Sequence, residues 1–154
     1  MLDHHSLPHS FLSFLFLSLL VIPSLAKVVT KQFNITWVWA APDGFGRSVI
    51  GINGRWPCPE IVAQVGDTIT VNVTNLLGNE TTGIHWHGIN QHNTEDMDGP
   101  SGVTQCGIPP NMSVVYNFTA DVAGTYWCTC TGLFCPWCLC MLARGLIARE
   151  RSFP

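Results

Sequence analysis

Charged side chains are scarce in this chain of 154 residues. Lysine, arginine, aspartate and glutamate together make up 11% of it, whereas about 25% is usual for globular proteins. The seven basic residues form no cluster, and the formal net charge is −3. Because nucleic acids are bound through basic patches, we expect no nucleic-acid partner.

The chain also lacks internal repeats, and before Trp127 it lacks a sustained helical period. From Lys27 onward, short runs of alternating apolar and polar residues are separated by glycine, proline and asparagine. In Thr68–Val73, for example, the three aliphatic residues fall on one face and the polar residues, Asn72 among them, on the other. The pattern predicts an all-β fold, an antiparallel sandwich or barrel.

Lysine and arginine are absent before Lys27, where the longest apolar run occurs. This run, Phe11–Ile22, is shorter than the roughly 20 residues of a membrane-spanning helix. It has the length of the apolar region of a signal peptide, and Ser24 and Ala26 are small residues of the kind found before a cleavage site. We therefore predict a signal peptide at residues 1–26 and a secreted, extracellular protein. A retained anchor, which would place the protein at the cell surface, is the alternative.

Five sequons of the form N-x-[ST] fit a secreted glycoprotein. Each motif is short and weak alone, but five within about a hundred mature residues form a consistent group. The candidate glycosylation sites are Asn34, Asn72, Asn79, Asn111 and Asn117.

Two histidines spaced i, i+2 stand out among β-forming residues in Gly83–Gln91. On a strand, His85 and His87 would point to the same face, about 6 to 7 Å apart, with Trp86 pointing away to pack in the sheet. Imidazole binds copper, zinc, iron and nickel, so the pair predicts a metal site without selecting the ion. Two surface histidines on an exposed strand are the alternative.

A series of motifs resembles the first plastocyanin-like (cupredoxin) domain of a multicopper oxidase. In chain order they are Ile50-Gly-Ile-Asn-Gly-Arg-Trp-Pro57, Gly66-Asp67, His85-Trp-His-Gly88, Asp98-Gly-Pro100, Val103-Thr-Gln-Cys106, Ile108-Pro-Pro110 and Gly124-Thr-Tyr-Trp127. The opening Phe33-Asn-Ile-Thr-Trp-Val38 is most similar to fungal laccases and iron-transport ferroxidases. The resemblance covers residues 27–127 and implies a cupredoxin-like Greek-key β-sandwich.

Copper is the cofactor that this resemblance implies. In the family, a three-copper cluster between the first and third domains reduces dioxygen to water with electrons from a reducing substrate, a phenol or ferrous iron. The resemblance assigns His85 to the type 2 copper, His87 to a type 3 copper, and Asp98 to proton supply beside the cluster. Without the resemblance, Asp98 would be interpreted as a turn residue before Gly99.

One cysteine, Cys106, belongs to the motifs that carry the resemblance. Cys106 matches a family cysteine that pairs with a partner in a later domain. Cys58 could in principle pair with Cys106 instead, because secretion permits disulfides, but the sequence does not establish the geometry that such a bond requires.

The family pattern breaks after Trp127. An aromatic residue and a second His-x-His are expected there, but the chain has Cys128-Thr-Cys-Thr131, and no histidine follows His92. With one choice of codons, deleting a single G from a run encoding Trp-Trp-His-Leu-His gives Trp-Cys-Thr-Cys-Thr. We therefore predict a truncated cupredoxin domain at residues 27–127 and a tail at 128–154 that is out of frame or disordered. Alternatively, the five cysteines of residues 128–140 bind zinc or Cu(I), or form a disulfide knot.

The predicted function is that of the amino-terminal copper-binding domain of a multicopper oxidase, of laccase or ferroxidase type. Catalysis belongs to the full-length parent with its second and third cupredoxin domains, so these residues alone should be inactive. The alternative is a secreted, non-catalytic cupredoxin with a Cys-rich metal-binding or disulfide-rich tail.

Overall fold

The computed structural model describes residues 25–130 and 146–150. The described part is all-β, as predicted, and its only helix is a single 3-10 turn at Glu95–Met97. Eight strands follow in chain order: β1 (Val28–Ala40), β2 (Arg47–Ile52), β3 (Ile61–Gln64), β4 (Thr68–Asn75), β5 (Ile84–His87), β6 (Ser113–Thr119), β7 (Gly124–Cys130) and β8 (Leu146–Arg149).

The strands form two four-stranded sheets, ordered β2-β1-β4-β6 and β3-β8-β7-β5. Both sheets are mixed, because β1 pairs with β4 and β3 pairs with β8 in parallel, while the other pairs are antiparallel. The predicted all-β sandwich is confirmed, although two of its strand pairs are parallel where the sequence pattern indicated antiparallel strands. Residue alternation reports which face of a strand is buried, and it carries no information about the direction of the neighbouring strand.

One apolar core contains side chains from both sheets. In β4 the alternation is as predicted: the aliphatic side chains of residues 69, 71 and 73 are fully buried, and the polar ones between them are half-exposed. Trp86 of β5 is only 1% exposed and packs against Tyr116 and Phe118 of β6, with ring centroids 5.6 and 5.0 Å away. Each fully buried side chain of this size contributes about 1.5 to 3 kcal/mol relative to exposure. Trp86 thus ties β5 to the opposite sheet.

The last two described strands lie around and beyond Trp127. Strand β7 continues to Cys130, with Cys128 and Cys130 both buried on its inner face. Leu146–Arg149, which belong to the tail predicted to be out of frame or disordered, form β8 between β3 and β7. Within β8, Ala148 is buried and Arg149 is exposed.

The predicted signal peptide lies almost entirely outside the described residues, which begin at Leu25. No helix within residues 25–130 or 146–150 is long and apolar enough to cross a membrane. The tail residues Cys135, Cys138 and Cys140 also lie outside the described residues.

Candidate metal centre

The predicted histidine pair lies on β5, and the strand alternates as expected. Ile84 and Trp86 are buried, whereas His85 is half-buried and His87 is exposed. The imidazole centroids are 5.5 Å apart and the ring planes are nearly perpendicular, at 88°. Both rings therefore occupy the outer face of the second sheet, while Trp86 anchors the strand from the inner face. The prediction that Trp86 packs within the fold is confirmed.

Trp127 of β7 contacts His87 in a way that the sequence did not indicate. The two residues are partners across the antiparallel β5–β7 pair. Their rings stack with centroids 5.0 Å apart and an interplanar angle of 27°. Stacking on an indole limits rotation of an exposed imidazole, so His87 is held in place on the outer face.

His85 is oriented by Asp98. Its Nδ1 lies 3.1 Å from the backbone carbonyl oxygen of Asp98 and 3.2 Å from the carboxylate Oδ1 of the same residue. Both oxygens accept hydrogen bonds, so Nδ1 carries the proton and donates. In the neutral ring the lone pair is then on Nε2, the state in which a histidine binds a metal. An oxygen acceptor behind a ligating histidine both fixes the tautomer and orients the ring.

Gly99 allows the Asp98 segment to lie directly against β5. Its φ is +95°, a left-handed conformation that favours glycine, and a Cβ at this position would overlap the carbonyl oxygen of Ile84. The backbone N–H of Trp86 donates to the Asp98 carbonyl oxygen at 3.2 Å. The close approach therefore fixes the position of Asp98 relative to His85.

Tyr116 holds the beginning of β5 from inside the core. Its hydroxyl oxygen accepts a hydrogen bond from the Ile84 N–H, with a nitrogen–oxygen distance of 3.2 Å. Burial raises the pKa of the Tyr116 phenol above its usual value, because the charged form would lose its hydration. The neutral phenol is thus the form that supports the strand.

A shallow cleft adjoins Asp98. Its lining includes Gln91, Glu95 and Thr104 together with Asp98. All four are polar or acidic oxygen-bearing side chains around an open depression, so water has access to the Asp98 carboxylate.

Thr129 occupies the position where a second histidine pair would begin. It is the partner of His85 across the β5–β7 pair and is half-buried. Directly opposed residues have Cβ atoms about 4.5 to 5.5 Å apart, so a side chain at position 129 adjoins the His85 ring. The resemblance places a histidine here and another at residue 131, which lies outside the described residues.

Two imidazoles suit copper but do not form a complete site. Among the described residues, no group of three or more histidine, cysteine, aspartate or glutamate side chains is arranged to hold a metal ion. His85 and His87 therefore fit copper only as part of a ligand set.

The other predicted site residues lie around the surface. Of the five sequon asparagines, Asn79, Asn111 and Asn117 are exposed, whereas Asn34 and Asn72 are half-buried. Cys106 is exposed at the edge of a pocket that Met97 and Met112 also line.

Known proteins share both the sequence and the fold of this chain. The multicopper oxidase family model matches residues 34–130. The iron transport multicopper oxidase fetC of Epichloe festucae is 57% identical over 103 residues, which are 66% of this chain and 17% of that protein. Laccase-2 of Thanatephorus cucumeris is 44% identical over 118 residues, 73% of this chain and 20% of the relative.

A solved structure agrees with these relatives. The crystal structure of laccase from Botrytis aclada superposes with a TM-score of 0.72 at 35% identity, covering 80% of this chain and 23% of the laccase. The cupredoxin-like fold is thereby confirmed, and copper is the cofactor of the family. The chain spans about a fifth of the length of the curated relatives it matches. From its sequence and its fold alike, this chain belongs to the multicopper oxidases.

Proposed function

We propose that this chain is the amino-terminal copper-binding domain of a secreted multicopper oxidase, with His85 and His87 as its contribution to a shared copper cluster. The observation that carries the proposal is the pair of imidazoles on one face of β5, with Nδ1 of His85 engaged by Asp98. This arrangement leaves Nε2 of His85 available to a metal.

Within that cluster, His85 would bind the type 2 copper and His87 a type 3 copper. The bound copper would supply the reduction of dioxygen to water, with electrons from a phenol or from ferrous iron. The chain's own residues have three tasks: Asp98 orients His85 through Oδ1, Trp127 restrains His87, and the Asp98 carboxyl group would take up protons from the water in its cleft and pass them towards the cluster.

We expect no oxidase turnover from these 154 residues by themselves. Two imidazoles provide too few donors for a copper cluster, and among the described residues no third donor joins them. Copper binding should therefore be measurable but weaker than in a complete oxidase, and oxidation of a phenol or of ferrous iron should stay at the background rate.

Equilibrium binding of Cu(II) against a competing chelator tests the assignment of the site. The double variant His85→Ala, His87→Ala should bind copper at least about tenfold more weakly, a loss of about 1.4 kcal/mol or more. His92→Ala is the matched control, since His92 is exposed and lies outside β5. Equal affinity of the double variant and the control, or turnover by the isolated chain, would refute the proposal.

Secretion is tested separately. We propose that the exported chain begins at Lys27 and carries N-glycans on the exposed asparagines Asn79, Asn111 and Asn117. Expression in a fungal host, followed by amino-terminal sequencing and glycosidase digestion, should show this start and a loss of mass. A cell-retained chain that still begins at Met1 would support the membrane-anchored alternative.

A further inference from the structure

Two cysteines that are distant in sequence lie side by side in the fold. The sulfur atoms of Cys58 and Cys128 are 3.8 Å apart, although the residues are 70 positions apart. Cys58 lies between β2 and β3, is half-buried and packs against the core. Cys128 lies within β7, opposite Trp86, and is 1% exposed. The contact thus connects the segment between β2 and β3, which links the two sheets, to a strand of the second sheet.

We propose that Cys58 and Cys128 form a disulfide bond in the oxidised protein. A disulfide sulfur–sulfur bond is about 2.0 Å long, so the present 3.8 Å must shorten by about 1.8 Å, or about 0.9 Å for each sulfur. Rotation about the Cα–Cβ bonds of the two residues would bring the sulfurs together. Strand β7 itself keeps its pairing with β5.

The oxidant is a small disulfide of the glutathione type, acting by thiol–disulfide exchange. The Cys58 thiolate attacks one sulfur of the oxidant, forms a mixed disulfide and releases one thiol. The Cys128 thiolate then attacks the Cys58 sulfur and releases the second thiol. Two protein thiols become one disulfide, the oxidant is reduced to two thiols, and the protons of the protein thiols pass to the released thiolates.

Cys58 is suited to the first step because it is half-exposed, whereas Cys128 is buried and can meet the mixed disulfide only from inside. Once formed, the bond is shielded on the Cys128 side by the core. Formation in the cell rests on the secretion proposed above, because disulfides persist in oxidising compartments. Formation in a defined redox buffer does not depend on secretion or on copper.

A shared zinc ion is the competing explanation of the contact. Two thiolates bound to one tetrahedral zinc at about 2.3 Å would also be about 3.8 Å apart. Structural zinc sites need four protein donors, however, and no third donor completes such a group within residues 25–130 and 146–150. A chelator distinguishes the two explanations, because it removes zinc and leaves a covalent bond intact.

Peptide mapping of the purified chain tests the proposal. The reduced protein is equilibrated in mixtures of oxidised and reduced glutathione with a chelator present, alkylated, digested without reduction and analysed by mass spectrometry. We expect a cross-linked pair of peptides containing Cys58 and Cys128, lighter by two hydrogen atoms than the sum of the two thiol peptides. Cys106→Ala should leave this pair intact, and Cys58→Ala should abolish it.

Three results would overturn the proposal. Cys58 could be recovered linked to Cys106 or to a tail cysteine, or both thiols could be alkylated under oxidising conditions. Thirdly, in a separate sample without chelator, the reduced protein could protect the Cys58 and Cys128 thiols from alkylation only when zinc is added, and show no cross-link. The mapping is done on the unmutated chain, so it does not require that either variant folds. None of these results would alter the copper affinity measured for His85 and His87, so the two proposals fail independently.

Discussion

Loss of the Cys58–Cys128 bond should measurably destabilise the fold. The bond would close a loop between residues 70 positions apart, and the chain-entropy model gives about 4 kcal/mol for a loop of this length. Urea unfolding slopes for small domains are about 1 to 3 kcal/mol per molar. Replacing Cys58 by alanine under oxidising conditions should therefore lower the urea midpoint by about 2 M. Tryptophan fluorescence is the measurement, because the buried Trp86 becomes exposed on unfolding.

The same comparison in a reducing buffer separates the covalent bond from packing. Without the bond, Cys58→Ala removes only a half-buried sulfur, so the difference from the unmutated chain should shrink to about 1 kcal/mol or less. Cys106→Ala, at an exposed position, should match the unmutated chain in both buffers. A midpoint shift for Cys58→Ala that is equally large with and without reductant would refute the reasoning, because the loss would then come from packing.

Three further substitutions test the metal centre and its support. Asp98→Ala should weaken copper binding by about tenfold in chelator competition, at the lower end of such effects, because the backbone carbonyl of residue 98 still accepts from His85 Nδ1. Thr129→His places a third imidazole beside His85. It should raise copper affinity by about tenfold or more, which corresponds to about 1.4 kcal/mol. Unchanged affinity would contradict the strand register. The raised pKa of Tyr116 means that its neutral form contributes stability that is fully present below pH about 10 and is lost as pH rises towards the folded-state pKa. Tyr116→Phe should therefore flatten the alkaline loss of urea stability, whereas Tyr126→Phe, at a more exposed position, should retain most of it.

Local features of the fold and of the metal centre could be predicted from the sequence. A period of two was enough to place His85 and His87 on one face and Trp86 in the core, because alternation is a property of a single strand. The family motifs predicted copper as the cofactor and Asp98 as a neighbour of the histidine pair. These features depend on residues that are close in sequence or on motifs of fixed spacing.

Features that depend on distant strands could not be predicted. The stack of Trp127 on His87 and the placing of Thr129 opposite His85 follow from the β5–β7 register, which is set by long-range packing. Cys58 could not be matched with Cys128 for the same reason, and Cys106 was the only partner that the sequence suggested for it. Parallel pairing of β1 with β4 is likewise a property of the assembled sheet.

Strand β8 has a consequence for handling the protein. Leu146–Arg149 fill the gap between β3 and β7, with four residues paired on one side and three on the other. A chain shortened to end before Leu146 would leave two strand edges with unpaired N–H and C=O groups, which are templates for pairing with other molecules. Such a chain should therefore self-associate. The paired residues of β8 thus protect the folded protein from aggregation.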